Sequence, residues 1–191
     1  MNKSKGKLFI ISAPSGAGKS TVIREILKLR SNTVLSVSAT TRSPRVGEKE
    51  GREYFFVTHE KFRELIENDE FLEYAEYVGN FYGTPRKKII ENKEKGIDTL
   101  LEIEVQGARQ VMEADPEAVS IFILPPNMCE LERRLHDRGT DSDCAQAARM
   151  DMARQEMNYV SEYDYAVVNA DIKKAVEDII DIIDYYSRKE K

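Results

Sequence analysis

The sequence is poor in the residues that build disulfide frameworks and zinc sites. Its 191 residues include two cysteines, two histidines and no tryptophan. Cys129 and Cys144 stand outside any CxxC pair, which favours reduced packing thiols over a disulfide or a metal site. His59 and His136 belong to no HxxxH or HExxH motif, so a zinc site made of protein ligands is not expected.

An excess of positive charge and a long apolar run are missing as well. The formal net charge is −5, so no overall basic field attracts nucleic acid, and affinity for phosphate must come from local arginines. The apolar stretch at residues 8–11 is too short for a signal-peptide core, and nowhere do roughly 18 apolar residues run together. We therefore expect a cytoplasmic protein that contacts neither membrane nor nucleic acid.

Short apolar segments alternate with amphipathic segments along the chain. Strand character is found at residues 8–12, 33–38, 97–103, 119–124 and 166–169. Such near-continuous apolar runs are typical of strands that are buried on both faces of a parallel sheet. Between them, apolar residues at helical spacing predict helices, the clearest at residues 19–29 and 172–183. The pattern predicts an α/β fold in which helices flank a parallel sheet.

Residues 39 to about 88 depart from this alternation because they are polar, punctuated by glycine and rich in tyrosine. Segments 53–57 and 71–78 alternate as strands do, and Thr58 can cap a helix between them. We predict an inserted unit rich in β-structure.

A second departure lies at about residues 129–149, where arginines surround the motif DRGTDSD. Gly139 can end one helix in this segment, and Ser142 or Asp143 can cap the next.

The segment APSGAGKS, residues 13–20, follows the first predicted strand. Gly16 and Gly18 can take positive φ angles and let main-chain N–H groups surround an anion, which the N-terminus of the next helix also favours. Lys19 supplies a charge for the β- and γ-phosphates, and the Ser20 hydroxyl can ligate Mg²⁺. A plain glycine turn would not need this Lys-Ser pair. The segment predicts binding of a nucleoside triphosphate, a property that GTPases, motor ATPases and small-molecule kinases share.

Two arginines and a tyrosine follow in the segment SATTRSPRVGEKEGREYFFV, residues 38–57. The guanidinium groups of Arg42 and Arg45, with the phenol of Tyr54, suit a phosphate monoester dianion. The alternative is a solvated basic loop, but Pro44 and Gly47 favour a defined turn between the charges.

Acidic residues in apolar surroundings are the other candidates for ligand contacts. A buried Glu73 carboxylate would match the two parallel donors of guanine, N1–H and N2–H₂, whereas adenine presents an acceptor at N1. Tyr82 and Thr84 are predicted in a glycine-flanked turn. Glu102 and Glu104, two apart at the end of a predicted strand, would leave by the same face towards Mg²⁺ or the base, although solvated caps are the alternative.

In their order and spacing these segments, together with RRLHDRGTDS and EYDYAVVNAD, resemble the guanylate kinase family over almost the entire chain. The resemblance implies one domain, residues 1–191, with a GMP-binding insertion and a lid. It divides the chain into a core of residues 1–37, 89–128 and 150–191, an insertion at 38–88 and a lid at 129–149.

The resemblance also implies roles for individual residues. The GMP site would contain Ser38, Arg42, Arg45, Tyr54, Glu73, Tyr82, Thr84 and Glu102. The ATP site would contain Ala13, Pro14, Ser15, Gly16, Ala17, Gly18, Lys19, Ser20, Thr21 and Asn169. Catalysis would rest on Lys19, Arg134, Arg138 and Arg149, and Mg²⁺ on Ser20 and Glu104. The sequence departs from the family pattern at Ala13, where glycine is usual, and at Glu104, where aspartate is common.

The implied reaction is ATP + GMP ⇌ ADP + GDP with Mg²⁺, with dGMP as an expected further acceptor and the oligomeric state, including a homo-oligomer, left open. Three other readings stay open from the residues alone. They are a peptide-binding module of the same fold, a kinase for another nucleotide or a sugar phosphate, and a GTPase switch, which the missing NKxD motif disfavours.

Overall fold

The structure, a computed structural model, describes residues 5–77, 79–136 and 143–188. Its strands are β1 (Leu8–Ser12), β2 (Thr33–Leu35), β3 (Ser38–Thr40), β4 (Tyr54–Phe56), β5 (Phe71–Tyr77), β6 (Asn80–Pro85), β7 (Asp98–Glu102), β8 (Val119–Leu124) and β9 (Tyr165–Val168). Its helices are α1 (Lys19–Leu29), α2 (His59–Glu67), α3 (Arg86–Glu94), α4 (Val105–Ala114), α5 (Met128–His136), α6 (Asp143–Met157) and α7 (Ile172–Arg188), with a short 3₁₀ helix at Val160–Glu162.

The main sheet has five parallel strands in the order β2-β7-β1-β8-β9. Every residue of β1 is buried, as its apolar composition predicts for a central strand covered on both faces. Phe9 and Ile11 pack in the core cluster that contains residues of α1 and α7, while Leu8 and Ile10 pack in the cluster of the opposite face, which contains residues of α4. The predicted α/β fold with a parallel sheet between helices is therefore confirmed.

A second sheet has four strands in the order β4-β3-β6-β5. Its core is aromatic, with the rings of Phe62 on α2 and Phe71 on β5 stacked at 4.5 Å between centroids. Helix α2 begins where the sequence predicts a cap, since the Thr58 side chain accepts a hydrogen bond from the Lys61 main chain at 3.2 Å. The sheet begins at Ser38 and ends at Pro85.

Two local predictions are wrong. The strand expected at residues 33–38 divides into β2 of the main sheet and β3 of the second sheet, so the chain passes between the sheets just after Leu35. Tyr82 and Thr84 lie in strand β6 and not in a turn. Gly83 explains the error, because a Cβ there would lie about 3 Å from the Phe62 and Phe71 rings. This glycine permits close packing within a strand.

In the part of the chain that the structure describes, none of the helices has the length and apolar character needed to cross a bilayer.

Candidate active site

Residues 13–18 form a loop between the end of β1 and the start of α1, at the carboxyl edge of the parallel sheet. Gly16 and Gly18 have φ angles of 91° and 94°, which glycine tolerates best. Behind the loop, Asn169 donates a hydrogen bond from its side-chain amide to the Ala17 carbonyl oxygen at 2.7 Å. A Cβ on Gly18 would lie 2.5 Å from the same amide nitrogen. The residue after β9 therefore supports the loop from behind.

Lys19, the first residue of α1, is drawn towards two acidic residues. Its ammonium donates to Glu104 Oε1 at 3.2 Å and to the Ile103 carbonyl oxygen at 3.4 Å, and its side chain is only 12% exposed. Burial alone would lower the pKa of Lys19, but the charges of Glu104 and Glu102 outweigh it and raise that pKa. The lysine is therefore a fixed cation at the mouth of the loop.

Glu102 and Glu104 reach the loop, but not as two residues on one face of a strand. Strand β7 ends at Glu102, and Glu104 occupies the N-cap position of α4. The prediction of a shared strand face is wrong because a helix starts at once after the strand. The Ser20 hydroxyl donates to Glu102 Oε1 at 2.5 Å, while Glu104 contacts Lys19. Both carboxylates thus face the loop, Glu102 from the end of the strand next to β1 and Glu104 from the start of α4.

The oxygens around Ser20 fit a magnesium ion that is shared with a polyphosphate. Among residues 5–77, 79–136 and 143–188, no three His, Cys, Asp or Glu side chains are grouped as a metal site. A complete set is not required, since Mg²⁺ is usually held by one or two protein oxygens, water and substrate phosphates. The Ser20 hydroxyl and the carboxylates of Glu102 and Glu104 are hard oxygen donors of this kind.

Two adjoining cavities open beside the loop. The first, about 300 Å³, is lined by loop residues together with Glu102 and Glu104, and the second, about 200 Å³, reaches from these glutamates to Glu73. Residues that line both are Ser38, Tyr54, Tyr77, Glu102 and Glu104. Because the boundary residues are shared, the two cavities adjoin and form a cleft between the loop and Glu73, and their combined size suits small-molecule ligands.

Glu73 is the buried acid that the sequence suggested. It is 5% exposed, and its Oε1 accepts a hydrogen bond from the Thr84 hydroxyl on the neighbouring strand at 2.6 Å. Burial raises the pKa of the Glu73 carboxyl, although hydrogen bonds from Thr84 act in the opposite direction. The second cavity also contains Tyr82 and Gly107. An acceptor in this position is matched to a ligand with two adjacent N–H donors.

Arg42 and Arg45 lie near the second sheet in different environments. Arg42 donates to both carboxylate oxygens of Glu48, at 2.8 and 3.0 Å, and its guanidinium lies 5.4 Å from the Tyr54 ring centroid. The hydrogen bond from Arg42, with one from the Arg45 main chain, lowers the pKa of Glu48. The Arg45 side chain is exposed. Glu48 was missed by sequence analysis, although its position six residues after Arg42 in a glycine-containing turn is a signal.

Two of the arginines predicted for the lid, Arg134 and Arg149, lie on α5 and α6. Arg134 donates to the Ala17 carbonyl oxygen at 3.4 Å and to the Asn169 carbonyl oxygen at 3.3 Å, so it lies beside the loop. Arg149 lies on α6 near Tyr77. Burial and the charges of Glu104 and Glu156 raise the pKa of the Tyr77 phenol, and the charge of Arg149 acts in the opposite direction. Arg138 lies outside the described residues, as do the predicted helix end at Gly139 and Ser142, one of the two predicted caps. The other, Asp143, is the first residue of α6.

Glu156 on α6 is a second site residue that sequence analysis missed. It lines the first cavity, and burial, followed by the charge of Glu104, raises the pKa of its carboxyl to about 7. Glu156 lies seven residues after Arg149, two turns along one face of α6. That spacing relates Glu156 to Arg149, but it does not indicate that this face of α6 lies beside the loop. A carboxyl with such a pKa is only partly ionised near neutral pH, so it repels a neighbouring phosphate less than an ordinary glutamate would.

Comparison with known proteins agrees with this geometry. The guanylate kinase family model matches residues 5–186. The guanylate kinase of Clostridioides difficile (strain 630) is 50% identical over 179 residues, 94% of this chain and 87% of that relative. The guanylate kinase of Escherichia coli (strain K12) is 50% identical over 182 residues, 94% of this chain and 88% of that relative. The crystal structure of guanylate kinase from Anaplasma phagocytophilum has a TM-score of 0.81 at 42% identity, covering 97% of this chain and 88% of its own.

Proposed function

The chain belongs to the guanylate kinase family, and we propose that it transfers the γ-phosphoryl group of ATP to GMP, giving ADP and GDP, at the cleft between the loop and Glu73. The observation that carries the proposal is the common border of the two cavities, which Ser38, Tyr54 and Glu102 line from both sides. A triphosphate in the first cavity and a guanine monophosphate in the second would meet at this boundary. The reaction belongs to purine nucleotide metabolism, and we propose that it occurs in the cytoplasm, where both nucleotides are found.

The triphosphate is assigned to residues 13–21, which are the loop and the first turn of α1. Main-chain N–H groups, the N-terminus of α1 and the Lys19 ammonium would hold its β- and γ-phosphates. Asn169 supports the loop through Ala17, so it would preserve the shape of the cradle as well as border the adenine. Ser20 and Glu104, with Glu102 nearby, would hold Mg²⁺, which when bound neutralises phosphate charge and orients the oxygens for in-line transfer.

The acceptor nucleotide is assigned to the second cavity. The Glu73 carboxylate would accept the guanine N1–H and N2–H₂ donors, and Thr84 would fix the carboxylate and contact the base edge. Ser38, Tyr54, Tyr82 and the two arginines would hold the phosphate. Since Glu48 neutralises Arg42 in this structure, the incoming phosphate would share or displace that contact.

The chemistry needs no strong general base. The acceptor phosphate is already largely dianionic at neutral pH, its second pKa being about 6. One of its oxygens would attack the γ-phosphorus while the bond to the β-phosphate oxygen breaks. Lys19 and the arginines Arg134, Arg138 and Arg149 would neutralise the charge that spreads over the transferred oxygens.

Water would be excluded by approach of α5 and α6 to the second sheet. One contact between these parts is already present, since the Tyr77 hydroxyl on β5 donates to the Met152 sulfur on α6 at 3.6 Å. Exclusion of water protects ATP from hydrolysis and strengthens the electrostatic contacts with phosphate.

The test is an acceptor panel with ATP and Mg²⁺, in which ADP release is measured with GMP, dGMP, AMP, UMP and sugar phosphates. We expect rapid release with GMP, release with dGMP and at most slow release with the others. A binding module would give no ADP with any acceptor. Preference for AMP, UMP or a sugar phosphate would contradict the assignment of Glu73 to guanine.

A further inference from the structure

Helix α4 passes directly over the Glu73 carboxylate at a residue without a side chain. A Cβ built on Gly107 would lie 2.3 Å from Glu73 Oε2 and 3.0 Å from its carboxyl carbon. That is far inside van der Waals contact, so either the carboxylate or the helix would have to move. The Glu73 carboxylate occupies the space that the Cβ of any other residue at position 107 would need.

The main chain gives no separate reason for glycine at this position. Gly107 lies in the first turn of α4, and it is not among the glycines with positive φ. Alanine is the better helix former in such a conformation. What glycine provides here is room for Oε2.

Gln110, one turn further along α4, holds the neighbouring residue of β5. Its side-chain nitrogen donates to the Tyr74 carbonyl oxygen at 2.8 Å, and its side-chain oxygen accepts from the Tyr74 N–H at 3.3 Å. Strand β5 is at the edge of its sheet, so Gln110 supplies the partners that a further strand would have supplied. Gly107 and Gln110 are three residues apart and share one helix face.

We propose that α4 sets the position of the guanine-reading carboxylate, with Gly107 admitting Glu73 Oε2 and Gln110 fixing the main chain beside it. Both are positioning residues for discrimination by Glu73, and the inference rests on the proposed function. Thr84 already holds Oε1, so the location of Oε2 decides whether both guanine donors are accepted at once. The property at stake is selection for the exocyclic N2 amine, which inosine monophosphate (IMP) lacks.

The experiment compares kcat and KM for GMP and IMP in the parent, Gly107→Ala, Gln110→Ala, Glu73→Asp and the double variant Gly107→Ala/Glu73→Asp. Gly107→Ala should raise the KM for GMP about tenfold or more, the size of one lost hydrogen bond to a charged group. The KM for IMP and the kcat should change much less, so the GMP-over-IMP ratio falls. Glu113→Ala, an exposed change on the same helix, should keep parental values and serves as the control.

A double-mutant cycle separates positioning from general damage. Aspartate is one methylene shorter and leaves the space that the alanine methyl needs, so Glu73→Asp should cost less in the Gly107→Ala background than in the parent. Additive losses would contradict direct contact between the two positions.

The outcomes distinguish this inference from the proposed function. A parent chain without GMP phosphorylation overturns both. An active parent whose Gly107→Ala variant keeps the parental GMP-over-IMP ratio overturns the inference alone. If thermal unfolding shows that Gly107→Ala does not fold, Gln110→Ala decides, since the parental ratio in that variant also refutes positioning by α4.

Discussion

Replacing Glu73 with glutamine should weaken GMP recognition without weakening the fold. The side chains have nearly the same shape, and the carboxylate is buried, since Glu73 is 5% exposed and accepts a hydrogen bond from Thr84 at 2.6 Å. Glutamine offers one acceptor and one donor where the carboxylate offers two acceptors. One guanine donor would therefore face another donor in a buried pocket.

The expected loss follows from the free energy of one hydrogen bond to a charged group, about 1.5–3 kcal/mol. At about 1.4 kcal/mol per factor of ten, the KM for GMP should rise roughly 10- to 150-fold. The kcat should change less, because the carboxylate contacts the base and not the transferred phosphoryl group.

The fold should respond in the opposite direction. Burial raises the pKa of Glu73, so the folded chain binds this proton more tightly than the unfolded chain does. Ionisation of Glu73 therefore costs stability as the pH rises above the ordinary carboxyl pKa. Glutamine carries no such cost, and we expect its thermal midpoint at pH 7 to equal or exceed that of the parent, with a smaller advantage at pH 5.

The assay is steady-state ADP release with varied GMP at saturating ATP, paired with thermal unfolding at both pH values. Glu70→Gln, an exposed change just before β5, is the matched control and should match the parent in both measurements. Unchanged KM for GMP in the Glu73 variant would refute recognition by the carboxylate. A large loss of thermal stability would show that the acid has a structural role instead.

Three further changes test other parts of the cleft. Lys19→Ala should lower kcat by about a hundredfold or more, while calorimetry should still detect GMP binding. Near-normal turnover would show that Lys19 has no role in catalysis. Thr84→Val removes a hydrogen bond that lowers the pKa of Glu73, so the pKa of Glu73 should rise. On acidification, kcat/KM for GMP should therefore begin to fall at a higher pH than in the parent, and superimposable pH profiles would contradict this. Arg134→Ala removes the contacts with Ala17 and Asn169 and should lower kcat by roughly a hundredfold; a large rise in the KM for ATP with unchanged kcat would indicate ground-state binding instead.

Features that depend on neighbours in sequence were predictable. Apolar runs and helical spacing predict β1, β8 and α1 with the bounds that the structure has. This succeeds because burial of a strand or of one helix face determines the order of apolar and polar residues within a short segment. Thr58 as a cap is equally local.

Features that depend on distant partners were not predictable. In the sequence, Gly83 has the pattern of a turn glycine, and only the packing of the Phe62 and Phe71 rings against it shows why glycine is needed in a strand. Glu104 resembles a strand residue, although the helix that it precedes brings it to Lys19. Glu156 is an unremarkable helix residue until folding places it beside the loop. In each case the deciding contact comes from another element of the fold.

The most direct measurement for the account is a crystal structure of the chain with Mg²⁺, a non-hydrolysable ATP analogue and GMP together. We predict the analogue's phosphates on the main-chain amides before α1, the guanine against Glu73, and the GMP phosphate facing the γ-phosphate near Glu102. A guanine bound elsewhere, or a second cavity that stays closed while the first is occupied, would contradict transfer between two nucleotides in one cleft.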